Sequence, residues 1–177
     1  MKVKRASRRP KSAGNPLVPH AGDDALQKQA RLDAYSDVVE KAELSSIRLA
    51  TLDFQVQPEY FAAQRRRKNK PELHLDINTD TTIFDAKSGF AGIFLSCETG
   101  AKAREEDLVR CKAVFLVTYR NLLGCEEEAS KAFLERVGKF ACYPYFRSLF
   151  SSLDWLAGTE MPILPVLKQQ AKPKSQE

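Results

Sequence analysis

The order of hydrophobic patterns along the chain predicts an α+β fold. Four segments between residues 47 and 120 are rich in β-branched and aromatic residues, and two of them alternate between apolar and polar positions. Two stretches with apolar residues at helical spacing come after them. Strands followed by helices indicate an antiparallel sheet that is covered on one face. We therefore predict a four-stranded antiparallel sheet with two C-terminal helices on one face, plus an N-terminal helix.

The N-terminal region divides into two parts. Residues 1–22 offer little apolar surface to bury, so we predict a disordered basic tail. This tail holds six Lys and Arg residues and no acidic residue, whereas the whole chain has a net charge of +5, so the basicity is concentrated there. Residues 23–43 are predicted to form a helical extension, because Asp23 and Asp24 can cap a helix and apolar residues recur at near-helical spacing up to Ala42.

The first two predicted strands lie on either side of a basic loop. The first runs from Ile47 to Val56, and the loop that follows contains the cluster Arg65–Lys70. The second strand covers residues 73–78, which alternate cleanly and indicate a half-buried strand. Simple alternation in the first strand predicts two sets of residues, Leu52, Phe54 and Val56 on one face and Ile47, Leu49 and Thr51 on the other.

Two further strands and two helices complete the predicted domain. The strands cover residues 90–100 and 108–120. Acidic residues at 126–128 favour a helix start, and that helix carries an apolar stripe. A second helix is predicted from Pro144, since a proline in the first turn costs no hydrogen bond, to Gly158. The apolar arc of this helix includes Leu156 and should be buried, whereas Trp155 falls off the arc and should face outward.

Several kinds of chemistry find little support in the residues. The four cysteines are scattered through a chain too large to need disulfides, so we expect reduced thiols and a cytoplasmic location. Cys97 and Cys111 lie at inward strand positions and are expected to be small buried side chains. His20 and His74 lie far from them in the sequence, so we predict no metal and no Cys–His catalysis. Asp76, Asn78 and Asp80 lack the glycine and glutamate that complete a calcium loop. No signal peptide, membrane span or phosphate loop is recognised, and we expect neither enzymatic activity nor a cofactor.

Three ordered segments resemble the SecB family of protein-export chaperones. Residues 47–54 are similar to the family's first strand. Residues 71–79, which include Leu-Asp-Ile-Asn-Thr, resemble its second strand. The segment from 138 to 153 contains Tyr143-Pro144-Tyr145, which resembles the Tyr-Pro-Tyr helix of the family.

The resemblance covers residues 44–167 and implies a SecB-like chaperone domain with a flexible tail at 168–177. It implies a homotetramer, assembled as a dimer of dimers, that holds unfolded chains in apolar grooves without ATP. The long N-terminal extension resembles the SecB-like chaperones of toxin–antitoxin systems, whose client is an antitoxin. The Lys-containing C-terminal tail differs from the tail with which export members engage the translocation motor. An antitoxin is therefore the expected client, with export precursors and the motor as the alternative.

Exposed aromatic and aliphatic residues are the candidates for client binding. A groove floored by the first strand and edged by a loop and the last helix would accept extended apolar segments. The alternative is that the same residues fill a subunit interface. The predicted client-binding residues are Leu52, Phe54, Val56, Tyr60, Phe61, Trp155, Ile163 and Leu164, and the predicted oligomer-interface residues are Ala129, Phe133 and Val137.

The rival hypothesis is a basic nucleic-acid-binding accessory protein. Phosphate backbones attract basic patches such as the N-terminal tail and the Arg65–Lys70 cluster without sequence specificity. Aromatic residues for base stacking are not interleaved there, apart from Tyr60 and Phe61 just upstream. A solvated loop, a nucleic-acid contact and a contact with an acidic client remain open for the cluster.

Overall fold

The computed structural model describes residues 21–65 and 71–167. Most of the predicted basic tail, nearly all of the Arg65–Lys70 cluster and the predicted tail at 168–177 lie outside these residues. The elements in chain order are α1 (Ala21–Lys41), β1 (Glu43–Val56), α2 (Glu59–Gln64), β2 (Glu72–Asp85), β3 (Phe90–Ala103), β4 (Glu106–Arg120) and α3 (Glu127–Ala157).

The strands form one four-stranded antiparallel sheet in the order β1-β4-β3-β2. The sheet and its α+β class confirm the prediction. Residues such as Ile93 and Val117, which pair across the two central strands, are fully buried beneath α3. Gly138 lets the helix approach the sheet, since a Cβ there would lie only 3.1 Å from Ile93 Cγ2. β1 and β2 are the edge strands, so one backbone edge of each has no partner within the sheet.

A bulge in β1 overturns the predicted division of its faces. The register shifts between Leu49 and Thr51, so that Ala50 is an extra residue without a partner. Side chains of paired residues point to the same face, and an extra residue reverses the alternation that follows it. As a result, five apolar residues share the face that α3 covers, namely Ile47, Leu49, Leu52, Phe54 and Val56.

The two predicted C-terminal helices are one continuous helix, α3, with Pro144 inside it. A proline in a helix interior removes one hydrogen bond and crowds the preceding turn. Buried aromatic residues on both sides of the proline, Tyr143 and Phe146, offset that cost by anchoring the helix to the sheet. The predicted end at Gly158 is confirmed. Gly158 adopts a φ of 63°, and its N–H donates to Trp155 O at 3.3 Å.

The remaining differences concern lengths and one short helix. α1 begins at Ala21, before the predicted cap at Asp23, and the short six-residue helix α2 was not predicted. β2 continues to Asp85 rather than ending near Asn78, because it pairs with β3 along its whole length. α1 packs on α3 through fully buried Val38 and through an aromatic contact of 6.4 Å between Tyr35 and Phe133.

Candidate functional site

Residues 159–167, here called the fold-back segment, return from the end of α3 along the body of the protein. Asp154 holds the turn, since its Oδ1 accepts hydrogen bonds from Thr159 Oγ1 and from Met161 N, the latter at 2.9 Å. The hydroxyl of Tyr60 and Nε2 of Gln64 donate to the carbonyl of Thr159 at 3.0 and 3.1 Å. Burial raises the pKa of Tyr60, and the charges of Asp154 and Glu160 raise it further, so this hydroxyl stays protonated and able to donate.

The fold-back segment buries some side chains and exposes others. The hydroxyl of Tyr143 donates to the carbonyl of Pro165 and fixes the segment to α3. Met161 and Leu164 are each 8% exposed, whereas Ile163 is 81% exposed and Val166 67% exposed. Met161 and Leu164 therefore anchor the segment to the protein, whereas Ile163 and Val166 are exposed to solvent.

A groove of about 510 Å³ lies between the fold-back segment and the second half of α3. Its walls are mainly apolar and aromatic, with a single acidic and a single basic residue among its lining residues. Residues that define it include Tyr143, Arg147, Phe150, Asp154, Met161 and Ile163.

Two smaller cavities lie between the fold-back segment and the edge strand β2. One, of about 260 Å³, is lined by Tyr60, Leu73 and Pro162 among others. The other, of about 290 Å³, has Leu75, Phe140 and Leu167 among its lining residues. The segment thus has open space along both of its sides, one of them against side chains of the edge strand β2.

The end of α3 adds a further apolar surface. Trp155 is 85% exposed and confirms the predicted outward orientation. Leu156, predicted on the buried arc, is instead 81% exposed, because the helix overhangs the core in its last turn. The two side chains border a shallow depression of about 480 Å³ together with Ser151 and Ser152.

The structure groups only part of the predicted client-binding set. Tyr60 contacts the fold-back segment and Leu164 belongs to it, and both are buried, at 4% and 8% exposure, so the prediction that they form exposed surface is wrong. Phe61 is 37% exposed and contacts the Tyr60 ring edge-on at 5.7 Å. Leu52, Phe54 and Val56 line none of the four cavities described above; they lie on the sheet face that carries α3, where Leu52 is 41% exposed and Phe54 and Val56 are partly buried.

Sequence reasoning missed the groove residues Arg147, Phe150 and Met161. Arg147 and Phe150 belong to the helix that the Tyr-Pro-Tyr motif identified, so the signal for them was present. The groove itself depends on residues 159–167 folding back against that helix, which follows from hydrogen bonds to Asp154 and Tyr143 rather than from a local pattern.

The predicted oligomer-interface residues lie mostly inside the chain. Ala129 and Phe133 are 9% and 5% exposed, and the Phe133 ring lies 5.1 Å from that of Tyr119. Val137 is half-buried against the same core. Their interface role stays a prediction, and most of their surface is already used within the chain.

All four cysteines are free thiols and buried, and the burial predicted for Cys97 and Cys111 is confirmed. A hydrogen bond with Cys97 and burial raise the pKa of Cys142, and burial raises the pKa of Cys111 to about 12. Cys142 and Cys111 therefore remain protonated near neutral pH and are poor nucleophiles and ligands. Within residues 21–65 and 71–167, no three His, Cys, Asp or Glu side chains are grouped to hold a metal ion. Among the helices of the same ranges, none has the length and apolar character needed to cross a membrane.

Comparison with known proteins gives a structural match and no sequence match. No family model and no curated protein matches the sequence. The structure is similar to that of the Mycobacterium tuberculosis SecB-like chaperone Rv1957, solved in complex with a ChAD peptide from the Rv1956 HigA1 antitoxin. The TM-score is 0.62 at 19% sequence identity, and the match covers 78% of this chain and 99% of the other. The chain therefore has the fold of a SecB-like chaperone.

Proposed function

We propose that this protein is an ATP-independent chaperone that holds unfolded or disordered polypeptide segments. The observation that carries the proposal is the apolar surface along the fold-back segment and the end of α3. Trp155, Leu156 and Ile163 are each more than 80% exposed beside a groove of about 510 Å³. Contiguous apolar surface on a water-exposed protein marks a binding site.

The shape of this surface suits extended chain rather than a compact ligand. Grooves on both sides of the fold-back segment are open and lie along α3 and along the edge of β2. An extended peptide can place alternate side chains in such grooves, and an unpaired strand edge can hydrogen-bond its backbone. In a homotetramer, several such sites would bind one client together and raise the overall affinity.

We further propose a dedicated client, an antitoxin, rather than general service to protein export. The structural relative was solved with an antitoxin peptide bound, and the N-terminal extension of this chain resembles that of toxin–antitoxin chaperones. Affinity purification from the native host is expected to recover one dominant small partner. Recovery of many exported precursors together with the translocation motor would support export instead.

The holding activity is tested by aggregation of a chemically denatured model protein, followed by light scattering without nucleotide. The full chain is expected to suppress aggregation at near-stoichiometric amounts. The double variant Trp155→Ser with Ile163→Ser should lose most of this activity, because it removes apolar surface at 85% and 81% exposed positions. Leu123→Ser, at a 59% exposed leucine before α3, is the matched control and should keep it.

Two results would contradict the proposal. If the wild-type chain leaves aggregation unchanged, it is not a holdase. If it also changes the electrophoretic mobility of a labelled nucleic acid in a salt-dependent manner, the nucleic-acid-binding hypothesis is favoured instead.

A further inference from the structure

Arg147 is the basic residue of the groove between α3 and the fold-back segment. Its side chain is half-buried, and it forms no ion pair with any residue of the described part of the chain. Its charge acts on Tyr143, where it opposes the increase in pKa that burial gives the phenol. A guanidinium offers five N–H donors that suit a carboxylate, so the groove contains an unused site for an acidic group.

The acidic residue of the groove, Asp154, does not fill this site. Its Oδ1 accepts hydrogen bonds from Thr159 and Met161 and so holds the fold-back segment in place. It also lies seven residues after Arg147, about 10 Å along the helix axis. The positive charge of Arg147 therefore has no acidic partner within the groove and is accessible to an acidic group from outside it.

The spacing along α3 fits an extended chain. From Tyr143 to Asp154 the helix rises about 16 Å, which corresponds to about five residues of extended peptide. In such a peptide, side chains two residues apart point the same way at about 6.6 Å. A peptide side chain bound at Arg147 would then have one neighbouring peptide side chain on each side. One would lie near Tyr143, about 6 Å from Arg147 along the helix axis, and the other near Phe150, about 4.5 Å from it.

We propose that this groove selects extended segments in which an Asp or Glu lies two residues from an apolar side chain on each side, and that Arg147 binds the carboxylate. The inference rests on the proposed function, because it names the class of client that the groove takes. The apolar walls supply affinity for the flanking side chains, whereas the single unpaired cation rejects segments with Lys or Arg at the central position.

The test uses the full chain and fluorescein-labelled nonapeptides of the pattern Gly-Ser-Leu-Ser-X-Ser-Leu-Ser-Gly, with X as Glu, Gln or Lys. Fluorescence anisotropy gives the affinity for each. Wild type is expected to bind the Glu peptide about tenfold more tightly than the Gln peptide, as is typical for a charge-assisted hydrogen bond. Arg147→Gln should remove this preference, and Arg147→Glu should reverse it in favour of Lys.

Lys131→Gln is the matched control, because it removes a positive charge from the same helix where Lys131 already pairs with Glu127 at 2.6 Å. This variant should keep the wild-type preference. Reversal by Arg147→Glu is itself evidence of a folded groove, so a destabilised variant cannot imitate it.

Equal binding of the Glu and Gln peptides by wild type would overturn the inference. So would displacement of the Glu peptide by a synthetic peptide of residues 168–177, since the groove would then belong to the chain's own tail. If wild type suppresses aggregation but shows no preference, only this inference fails. If it neither suppresses aggregation nor binds any of the peptides, the proposed function fails with it.

Discussion

The two halves of α3 differ in how they are covered. Residues 127–142 lie between the sheet and α1, where Phe133 and Leu134 are almost completely buried. Residues 143–157 bury Phe146 and Phe150 against the sheet, but on the other side they meet only a groove and the fold-back segment. One helix therefore provides both a buried scaffold and the surface proposed to bind clients, because a nine-residue segment replaces a second helix as the cover of its last turns.

The largest effect is expected from a substitution in the covered half. Phe133→Ala removes a ring that contacts both Tyr35 and Tyr119, and it should lower the free energy of unfolding by roughly 3–5 kcal/mol. Urea denaturation followed by circular dichroism measures this loss. A loss below about 1 kcal/mol would mean that α1 does not bury Phe133 on this part of α3.

Alkaline pH should lower the free energy of unfolding through Cys111, which is buried in the sheet. Burial raises the pKa of Cys111 to about 12, from an ordinary value of 9.0, so the folded protein keeps a proton that the unfolded chain loses. Its contribution to stability is complete below pH 9 and is lost as the pH rises towards 12, by at most about 1.4 kcal/mol per pH unit.

Urea midpoints at pH 8, 9, 10 and 11 test this dependence. Cys111→Ala is expected to fall less steeply than wild type above pH 9, since it lacks the titrating thiol. Identical slopes for the two proteins would show that Cys111 is solvated.

A smaller effect is expected where the fold-back segment is attached. Tyr143→Phe removes the hydrogen bond to the carbonyl of Pro165 and should cost about 1 kcal/mol. Amide hydrogen exchange should become faster in residues 161–167 while α1 is unchanged. Faster exchange throughout the protein would instead show that the segment is part of the global folding unit.

The smallest change in stability is expected at the end of the exposed half. Trp155→Ala and Leu156→Ala alter side chains at 85% and 81% exposure, so each should change the free energy of unfolding by less than about 0.5 kcal/mol. Client holding should nevertheless fall. A decrease in melting temperature of several degrees would place these residues in a packed interface.

Much of the fold could be predicted because the sheet and α3 bury their residues in regular periods. Alternation located β2 and β3, enrichment in β-branched and aromatic residues located β1 and β4, and helical spacing located α3 on both sides of Pro144. The bulge at Ala50 could not be predicted, since it depends on how β1 pairs with β4 and reverses the faces of every later residue in the strand. The continuous path through Pro144 likewise depends on aromatic anchors in the tertiary structure.

The candidate site was predicted less well for a related reason. Exposure of Trp155 followed from its helical position. Tyr60 is buried because the fold-back segment covers it, and Leu164 is buried because that segment packs its side chain against the protein. That segment has no periodic pattern of its own, and its path is set by hydrogen bonds to Asp154, Tyr60 and Tyr143. Arg147 becomes significant only once this path is known.

The most direct test of the difference between the two halves of α3 is hydrogen–deuterium exchange of the full chain with and without a permanently unfolded client. We expect new protection in residues 143–167 and in the edge strand β2, and no change in α1 or in residues 127–142. Protection confined to α1 and the first half of α3, with residues 143–167 unaffected, would contradict this expectation.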